Sequence, residues 1–189
     1  MARWEPGARD RLVVAAVDLF TEQGYDATTV TEIAERAGVT KSTFFRHFPD
    51  KRELLVAGQD ALSELLADGI REAPEGSGAL ACVQAGLERA STMMGPTNRD
   101  LGPRIRAAVA ASEALQERDA LKSVGLAAAM TDALRARGHT DLVAHLAAEL
   151  GVLAFKRGYA AWADTESDEL APYVVSALEE LRSASAALD

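Results

Sequence analysis

The sequence predicts an all-α protein, and three observations support that class. Alanine and leucine dominate a chain of 189 residues in which 48% are hydrophobic, and this composition favours helices. Apolar residues recur at helical spacing, as in Leu12, Ala15, Ala16, Leu19 and Phe20. Helix-ending glycines and N-cap residues separate successive patterns. We expect about nine helices in two parts, a small amino-terminal domain over residues 1–55 and a larger domain over residues 56–189.

The first 55 residues predict three short helices and the start of a fourth. Glycines end the first two, and Thr29 with Glu32 three residues later forms a capping box at the start of the second. Thr40 caps the third helix, and Asp50 caps a longer fourth helix. The second and third helices are joined by the short turn AGVT, and two helices joined in this way are typical of a helix-turn-helix.

The larger part of the chain predicts further helices separated by loops. Loops are expected at 72–78 and 95–103, where proline and glycine are frequent. The remaining helices are expected from about Ala79 to the second loop, from Ser112 or Glu113 to about Arg137, from a Thr140 cap to about Ala163, and from Pro172 to about Ala184.

The net charge of −9 is divided unevenly along the chain. Residues 1–55 hold 8 Lys/Arg against 9 Asp/Glu, and residues 56–189 hold 12 against 20. Lys41, Arg46, Lys51 and Arg52 crowd into 12 residues, so a local basic patch can meet phosphates although the whole chain is acidic. The single Cys82, the lack of an apolar run of about 20 residues and the lack of an export signal predict a cytoplasmic protein.

The third predicted helix carries short polar and basic side chains that suit the major groove of DNA. Hydroxyl and basic groups match the donors and acceptors of base edges, and a recognition helix meets bases near its amino-terminal end. Ser42 and Thr43 also fit plain first-turn helix residues. Phe44 and Phe48 are expected in the core, which leaves Phe45 exposed. The predicted DNA-binding residues are Thr28, Thr29, Thr40, Lys41, Ser42, Thr43, Phe45, Arg46, His47 and Lys51.

The stretch GYDATTVTEIAERAGVTKSTFFRHFPDKRELL at 24–55, with LVVAAVDLF before it, resembles the DNA-binding domain of the TetR family of bacterial transcriptional regulators. The resemblance covers about residues 10–57. One departure is Phe45, where the family most often has tyrosine, so a phosphate-bonding hydroxyl is missing while the ring contact is kept. The resemblance implies a larger regulatory domain, dimerisation through the last two helices, palindromic operators and, for most members, repression that a small molecule releases.

Two further sets of residues are predicted in the larger domain, and for both the alternative is packing within the chain. An interface between two copies is expected from small and apolar residues of the last two helices: Leu146, Leu150, Leu153, Tyr173, Val174 and Leu178. A ligand site is expected from adaptable methionines and aromatic residues: Met93, Met94, Met130, Phe155, Tyr159 and Trp162.

The sequence thus predicts a dimeric DNA-binding regulator, most often a repressor, that binds a palindromic operator and an unidentified small-molecule effector. An enzyme is not expected, because the chain has three histidines, one cysteine and neither a metalloprotease motif nor a Gly-rich phosphate loop. No metal site and no cofactor are predicted. The alternative is an interaction protein that kept this fold without DNA binding, and a polar third helix argues against it.

Overall fold

The computed structural model describes residues 7–187, and every regular element among them is a helix. A 3-10 helix, Lys51–Val56, lies between the third and fourth α-helices. The α-helices are α1 (Ala8–Gln23), α2 (Val30–Arg36), α3 (Lys41–His47), α4 (Gln59–Glu72), α5 (Ala79–Ser91), α6 (Pro96–Ala110), α7 (Glu113–Ala136), α8 (Asp141–Ala163) and α9 (Ala171–Ala186). The all-α prediction is confirmed. Within 7–187 no helix is long and apolar enough to cross a membrane.

The predicted caps around the helix-turn-helix are confirmed. The Thr29 hydroxyl accepts the backbone N–H of Glu32 at 3.2 Å, and the Glu32 carboxylate accepts the backbone N–H of Thr29 at 2.8 Å. The Thr40 hydroxyl accepts the backbone N–H of Thr43 at 3.1 Å. These bonds satisfy N–H groups that have no partner inside a helix, so they determine where α2 and α3 begin.

The predicted fourth helix from Lys51 is wrong in one respect, because it is divided into two elements. Asp50 caps a 3-10 helix, as its carboxylate accepts the backbone N–H groups of Arg52 and Glu53. The chain then turns at Gly58, which has φ 86°, and α4 begins at the next residue. Only glycine adopts this left-handed conformation without cost, so Gly58 lies before α4 and not within it.

The predicted loop at 95–103 is also wrong, because α6 begins at Pro96 and continues through Pro103. A proline in the first turn of a helix has no hydrogen bond to lose, since that N–H would be unpaired in any case. The Asn98 side chain accepts the backbone N–H of Gly95 at 3.0 Å and so helps the helix to begin. Pro103 removes one internal hydrogen bond of α6, at a cost in stability, yet the helix continues to Ala110.

The described residues form two compact units. Unit 1 contains residues 7–57 and Arg104–Leu121, and unit 2 contains Gly58–Pro103 and residues 122–187. The sequence boundary at residue 55 remains a prediction for independent domains. That boundary assigned residues 104–121 to the larger domain, whereas in the structure the end of α6 and the start of α7 pack with the amino-terminal helices.

The core of unit 1 joins α1, α2, α3 and the 3-10 helix to the segment 104–121. Leu115 of α7 is completely buried in this core, and Ala108 of α6 is 8% exposed. The other large members are Leu12, Leu19, Phe20, Ile33, Phe44, Phe48 and Leu54. The predicted inward faces of α1 and α2 are therefore confirmed.

The core of unit 2 relies on close approaches between helix backbones. α4 and α5 pack at Gly69 and Gly86, where a Cβ on either residue would lie within 2.7 Å of the facing backbone. α8 and α9 pack at Gly158, where a Cβ would lie 2.6 Å from the Cα of Val174. Trp162, Met130 and other large apolar side chains fill the remaining interior. Small residues thus permit helix separations that larger side chains would prevent.

Candidate nucleic-acid interface

The turn between α2 and α3 is built from backbone hydrogen bonds and one left-handed glycine. The N–H of Val39 donates to the carbonyl of Ala34 at 2.9 Å, and the N–H of Gly38 donates to Glu35 at 3.0 Å. Gly38 has φ 68°, which favours glycine at this position. Val39 is half-buried against the core of unit 1, and this contact fixes the angle at which α3 leaves the turn.

The two phenylalanines of α3 point in different directions. Phe44 is completely buried, and Phe48 just beyond the helix is 2% exposed, as predicted. The Phe45 side chain is 50% exposed and meets the Phe44 ring edge-on, with the ring centroids 5.3 Å apart. Because water solvates an aromatic face poorly, an exposed ring beside polar groups suits contact with a sugar or a thymine methyl group.

The outer surface of α3 carries polar and basic side chains around that ring. Lys41, Ser42 and Arg46 are exposed, and Thr43 and His47 are half-buried. Within the described part of the chain, neither Lys41 nor Arg46 has a hydrogen bond or an ion pair. These two cations are therefore available to phosphate groups. We call the exposed set Lys41, Ser42, Phe45 and Arg46 the outer face of α3.

The threonines that were predicted to meet DNA differ in their surroundings. Thr28 is 1% exposed, and its hydroxyl donates to the carbonyl of Gly24 at 2.7 Å, so it lies inside the unit. Thr29 is exposed, but its hydroxyl belongs to the capping box. Thr40 is exposed, caps α3 and lies 3.0 Å from the Thr43 hydroxyl. Hence Thr40 and Thr43 extend the outer face of α3. The Thr28 side chain is buried and is not part of that surface.

Lys51 is not on the line with Thr43 and His47 that four-residue spacing predicts. α3 ends at His47, and the extended backbone of Phe48 redirects the chain. The Lys51 ammonium donates to the carbonyls of Tyr25 at 2.7 Å and Thr28 at 2.9 Å. Burial lowers the pKa of this ammonium, although the charge of Asp26 acts in the opposite direction.

Other basic residues of the helix-turn-helix are held in exposed ion pairs. Both nitrogens of the Arg36 guanidinium donate to the Glu22 carboxylate, at 2.9 and 2.8 Å, and this bond lowers the pKa of Glu22. Arg52 donates to Asp50 at 3.0 Å. Burial raises the pKa of Asp50, but hydrogen bonds from Arg52 and Glu53 outweigh it and the net shift is downward. The accessible positive charge is thus concentrated on α3.

Two ion pairs that no local sequence pattern predicts join the segment 104–121 to the amino-terminal elements. Arg104 donates to Asp18 of α1. Arg118 donates from two nitrogens to Glu53 at 2.8 and 2.9 Å, and this contact raises the pKa of the guanidinium. The paired residues are 86 positions apart for Arg104 and Asp18 and 65 positions apart for Arg118 and Glu53. No local spacing signals such a pair, so only the folded chain reveals it.

The predicted ligand residues all lie in unit 2, though they are not equally accessible. Met130 and Trp162 are fully buried, and the Trp162 indole donates to the carbonyl of Ser167 at 2.8 Å. Phe155, Tyr159 and Trp162 form a ladder along α8, with neighbouring ring centroids 6.0 and 5.6 Å apart. Met94 is half-buried beside this core, and Met93 is 36% exposed.

The predicted interface residues of α8 and α9 divide into an exposed set and a buried set. Leu146 and Leu153 are 56% and 45% exposed, and Leu142, which was not predicted, is 69% exposed on the same side of α8. Leu150 and Tyr173 are half-buried. Val174 and Leu178 are 0% and 4% exposed within their own unit, so they are unavailable to a second copy.

The structure combines a helix-turn-helix that has a polar and basic outer face with a second, helical unit, an arrangement typical of helix-turn-helix regulators. Residues 12–57 match the family model for "Bacterial regulatory proteins, tetR family". The resemblance of this part of the chain to the TetR family of bacterial transcriptional regulators is therefore confirmed.

Named relatives match a little over a third of the chain. The regulator TcmR of Streptomyces glaucescens is 40% identical over 72 residues, which are 38% of this chain and 32% of that protein. The transcriptional activator FasR of Mycolicibacterium smegmatis is 40% identical over 65 residues, 34% of this chain and 30% of FasR. The match thus spans about a third of the length of these curated relatives.

A likeness of fold extends over nearly the whole chain. The Thermus thermophilus repressor FadR, solved in complex with lauroyl-CoA, aligns with a TM-score of 0.52 and 23% identity, over 90% of this chain and 91% of that one. At this identity the likeness concerns the fold alone. In the described residues, no three His, Cys, Asp or Glu side chains lie close enough together to hold a metal ion.

Proposed function

We propose that this protein is a dimeric, sequence-specific DNA-binding regulator of transcription that acts in the cytoplasm. The observation that carries the proposal is the outer face of α3. Lys41 and Arg46 present unpaired positive charge on either side of Ser42 and Phe45, on a short helix whose buried Phe44 fixes its orientation. Phosphate contacts supply affinity and base contacts supply specificity, and this face holds side chains for both.

Operator selection from a random duplex pool tests this function. The native chain is expected to enrich a palindrome, because two identical helices in a symmetric dimer meet two identical half-sites. A Lys41→Ala, Arg46→Ala variant should enrich nothing at the same salt concentration. The control variant Arg71→Ala, Arg135→Ala removes the same charge from exposed ion pairs of unit 2 and should enrich the same palindrome.

A folded native dimer that enriches no sequence at low salt would contradict DNA binding. It would favour an interaction protein that shares the fold. If the native chain does enrich a palindrome, the selected sites are next joined to a reporter to distinguish repression from activation, because the relatives include both an activator and a repressor. We propose repression, the mode that the resemblance implies for most members.

We infer that the second copy binds along the exposed side of α8. Leu142, Leu146 and Leu153 follow one another at spacings of four and seven residues, so they line one side of the helix. Apolar stripes of this kind on a helix are covered in oligomers more often than they face water. The buried Val174 and Leu178 do not take part, and the half-buried Leu150 and Tyr173 lie at the edge of the proposed interface.

Sedimentation of matched variants tests this interface. Leu146→Glu places a charge on the stripe and should convert the dimer to monomers that no longer bind the palindrome tightly. Leu121→Glu is the control, since Leu121 of α7 is 55% exposed against 56% for Leu146. If Leu146→Glu remains a dimer, the second copy binds elsewhere.

We propose that a small molecule bound inside unit 2 releases the operator. Support comes from a threonine hydroxyl without a partner: Thr131 is 4% exposed, and its oxygen forms no hydrogen bond. A buried polar group without a partner is costly, and a ligand that bonds to it recovers that cost. No Lys, Arg, Asp or Glu is buried among the described residues of unit 2, so the part of the effector that becomes buried is uncharged.

Displacement of labelled operator DNA by lauroyl-CoA is the first test of release. This compound has a long uncharged chain, and it is bound by the Thermus thermophilus FadR. Release should occur with the native protein and weaken in a Thr131→Val variant, which removes the hydroxyl at nearly constant volume. If lauroyl-CoA leaves the complex intact, this compound is excluded as the effector, and acyl-CoA of other chain lengths and a panel of neutral apolar compounds follow.

A further inference from the structure

The exposed side of α8 has a regular spacing to which two charged residues belong. Its leucines, Leu142, Leu146 and Leu153, are 69%, 56% and 45% exposed. Glu149 and Lys156 are also exposed, and with them the five positions follow one another at alternating steps of four and three residues. Such steps are the spacing of a helix seam that packs along a second helix. We call these five residues the α8 seam.

The opposite side of α8 is covered within unit 2. The buried residues of this helix lie there, and apart from Val152 and Trp162 they are all alanine or glycine. α9 packs against this side at Gly158. The leucines of the seam remain 45% or more exposed, so the seam is the side of α8 that a second copy can cover.

The two charged residues of the seam have opposite signs. Glu149 has no hydrogen bond or ion pair within the part of the chain that the structure describes. Lys156 has a contact in its own chain, but an ammonium has three donors, so it can also meet a carboxylate of another chain. A charge in an apolar seam weakens association unless it meets the opposite charge, and it therefore selects one alignment of the two helices.

Only one direction of pairing satisfies these charges. In parallel pairing about a two-fold axis each residue meets its own counterpart, so Glu149 would face Glu149, and like charges in contact repel. In antiparallel pairing with the axis beside Leu153, Glu149 faces Lys156 of the partner subunit, twice in each dimer. The same alignment places Leu153 against Leu153 and the large Leu146 against the small, half-buried Ala160. Charge and size thus agree on one alignment.

We propose that two copies of this chain associate with their α8 helices antiparallel, in the alignment that joins Glu149 to Lys156 of the partner subunit on both sides of Leu153. The proposal rests on the proposed dimer and adds the alignment of its helices. The occupant of the seam is a second copy of this chain, because the seam is complementary to itself: its acid, its base and its leucines each find a match when the helix is reversed.

Charge reversal tests this alignment. Glu149→Lys turns both ion pairs into repulsive contacts, and Lys156→Glu does the same. Each variant should dimerise about thirtyfold more weakly than the native chain when sedimentation is followed at low salt. A mixture of the two variants should form a mixed dimer, since each introduced charge then faces an opposite charge. A size tag on one variant identifies that dimer. Two variants that show no preference for the mixed dimer would overturn the proposal.

Glu72→Lys and Arg89→Glu are the matched controls. These residues form an exposed ion pair between α4 and α5, so the same changes of charge fall in unit 2 but outside the seam. Each control should dimerise like the native chain, and their mixture should show no preference for a mixed dimer. A preference as strong as that of the seam variants would show that net charge alone governs the pairing, and the proposed alignment would be wrong.

Cysteine crosslinking gives the direction of the helices independently of charge. Leu153→Cys should form a disulfide-linked dimer on mild oxidation with diamide, because the axis brings its two copies together. Leu142→Cys should not, since it lies eleven residues before Leu153 and its two copies would be about 33 Å apart. The native Cys82 is buried and is kept in both variants. A linked dimer from Leu142→Cys, or none from Leu153→Cys, would overturn the proposal.

Failure of the alignment is distinguishable from failure of the proposed dimer. A native chain that sediments as a monomer would contradict the dimer itself. A native dimer that Leu146→Glu dissociates, but in which Glu149→Lys and Lys156→Glu have no effect, would keep the interface on α8 and overturn only the alignment. Circular dichroism confirms that each variant keeps the native helix content.

Discussion

The two units of this protein both contain polar bonds between distant residues, but they differ in how closely their helix backbones approach. In unit 1, side chains reach across sequence to backbone carbonyls and carboxylates, as in the bonds from Lys51 to Tyr25 and from Arg118 to Glu53. In unit 2, helices meet at glycines whose missing side chains allow backbones to touch. Directed polar bonds fix angles, whereas glycine contacts fix separations. Unit 2 has polar cross-links as well, such as those from Arg137 to Arg71 and from Tyr159 to Asn98, so the close glycine contacts are what distinguish it.

The largest expected effect comes from removing a core side chain of unit 1 that lies outside the helix-turn-helix. Leu115 is fully buried with the amino-terminal helices. Leu115→Ala should lower the free energy of unfolding by about 3 kcal/mol, through lost burial and the cavity that remains. Denaturant titration followed by circular dichroism measures it. Leu121→Ala on the same helix is the control and should change stability by less than about 0.5 kcal/mol, because Leu121 is exposed.

A glycine substitution should have the next largest effect, and it tests the packing of unit 2. A Cβ at Gly69 would lie 2.5 Å from the carbonyl oxygen of Ala85, so α4 and α5 would have to separate. Gly69→Ala should destabilise the protein by about 2 kcal/mol despite the better helix propensity of alanine.

The matched control for Gly69 is Gly125 of α7, where a Cβ would meet only the end of the Gln59 side chain. That side chain can move, so Gly125→Ala should be neutral or stabilising by up to about 1 kcal/mol. Equal destabilisation by the two substitutions would show that backbone contact between α4 and α5 does not limit the packing.

The ion pair between Glu53 and Arg118 should contribute less than either core contact. Both side chains are partly buried, at 28% and 21% exposure, and the guanidinium donates two bonds. A double-mutant cycle with Glu53→Gln and Arg118→Met should give a coupling energy of about 1 kcal/mol that weakens with salt. A coupling of zero would mean that the apolar contacts alone fasten 104–121 to unit 1.

The smallest expected effect is the pH dependence of the α2 capping box. Hydrogen bonds from the Thr29 hydroxyl and backbone hold the pKa of Glu32 below its usual value. A lowered pKa in the folded state means that the carboxylate stabilises the fold above the usual pKa of a glutamate, and that this stability is lost as pH falls through and below that value.

Melting temperatures between neutral and acid pH measure the effect. Glu32→Gln should reduce the fall in melting temperature on acidification, because no carboxylate remains to be protonated there. Glu35→Gln, an exposed position on the same helix, should keep the native pH dependence. Identical curves for Glu32→Gln and the native chain would show that the capping box does not contribute to acid sensitivity.

Local rules predicted much of unit 1, and their failures have physical causes. The caps at Thr29 and Thr40, the buried Phe44 and the exposed Phe45 follow from short-range spacing, and the structure has them as expected. The same spacing placed Lys51 on one line with Thr43 and His47, but the chain leaves α3 at Phe48 and the Lys51 side chain turns to the carbonyl of Tyr25. Spacing along an imagined continuous helix is informative only as far as the helix extends.

In unit 2 the sequence predicted helices better than it predicted surfaces. Val174 and Leu178 have the same apolar character as Leu146 and Leu153, and composition alone gave all four to the interface. Their exposures differ from 0% to 56%, because Gly158 brings α9 against one side of α8 and leaves the other side uncovered. Which apolar side of a helix is covered depends on its neighbours, and local sequence does not specify them.

By itself, the sequence determined the helical class, the positions of the helix-turn-helix and its polar outer face, since these depend on contacts between residues a few positions apart. Only the tertiary structure decided that residues 104–121 complete unit 1, that Lys51 bonds to the carbonyls of Tyr25 and Thr28, and that Thr28 is buried. Each of these facts depends on an encounter between elements that a folded chain brings together, and hydrophobic burial, which is non-directional, selects such encounters without marking them in the local sequence.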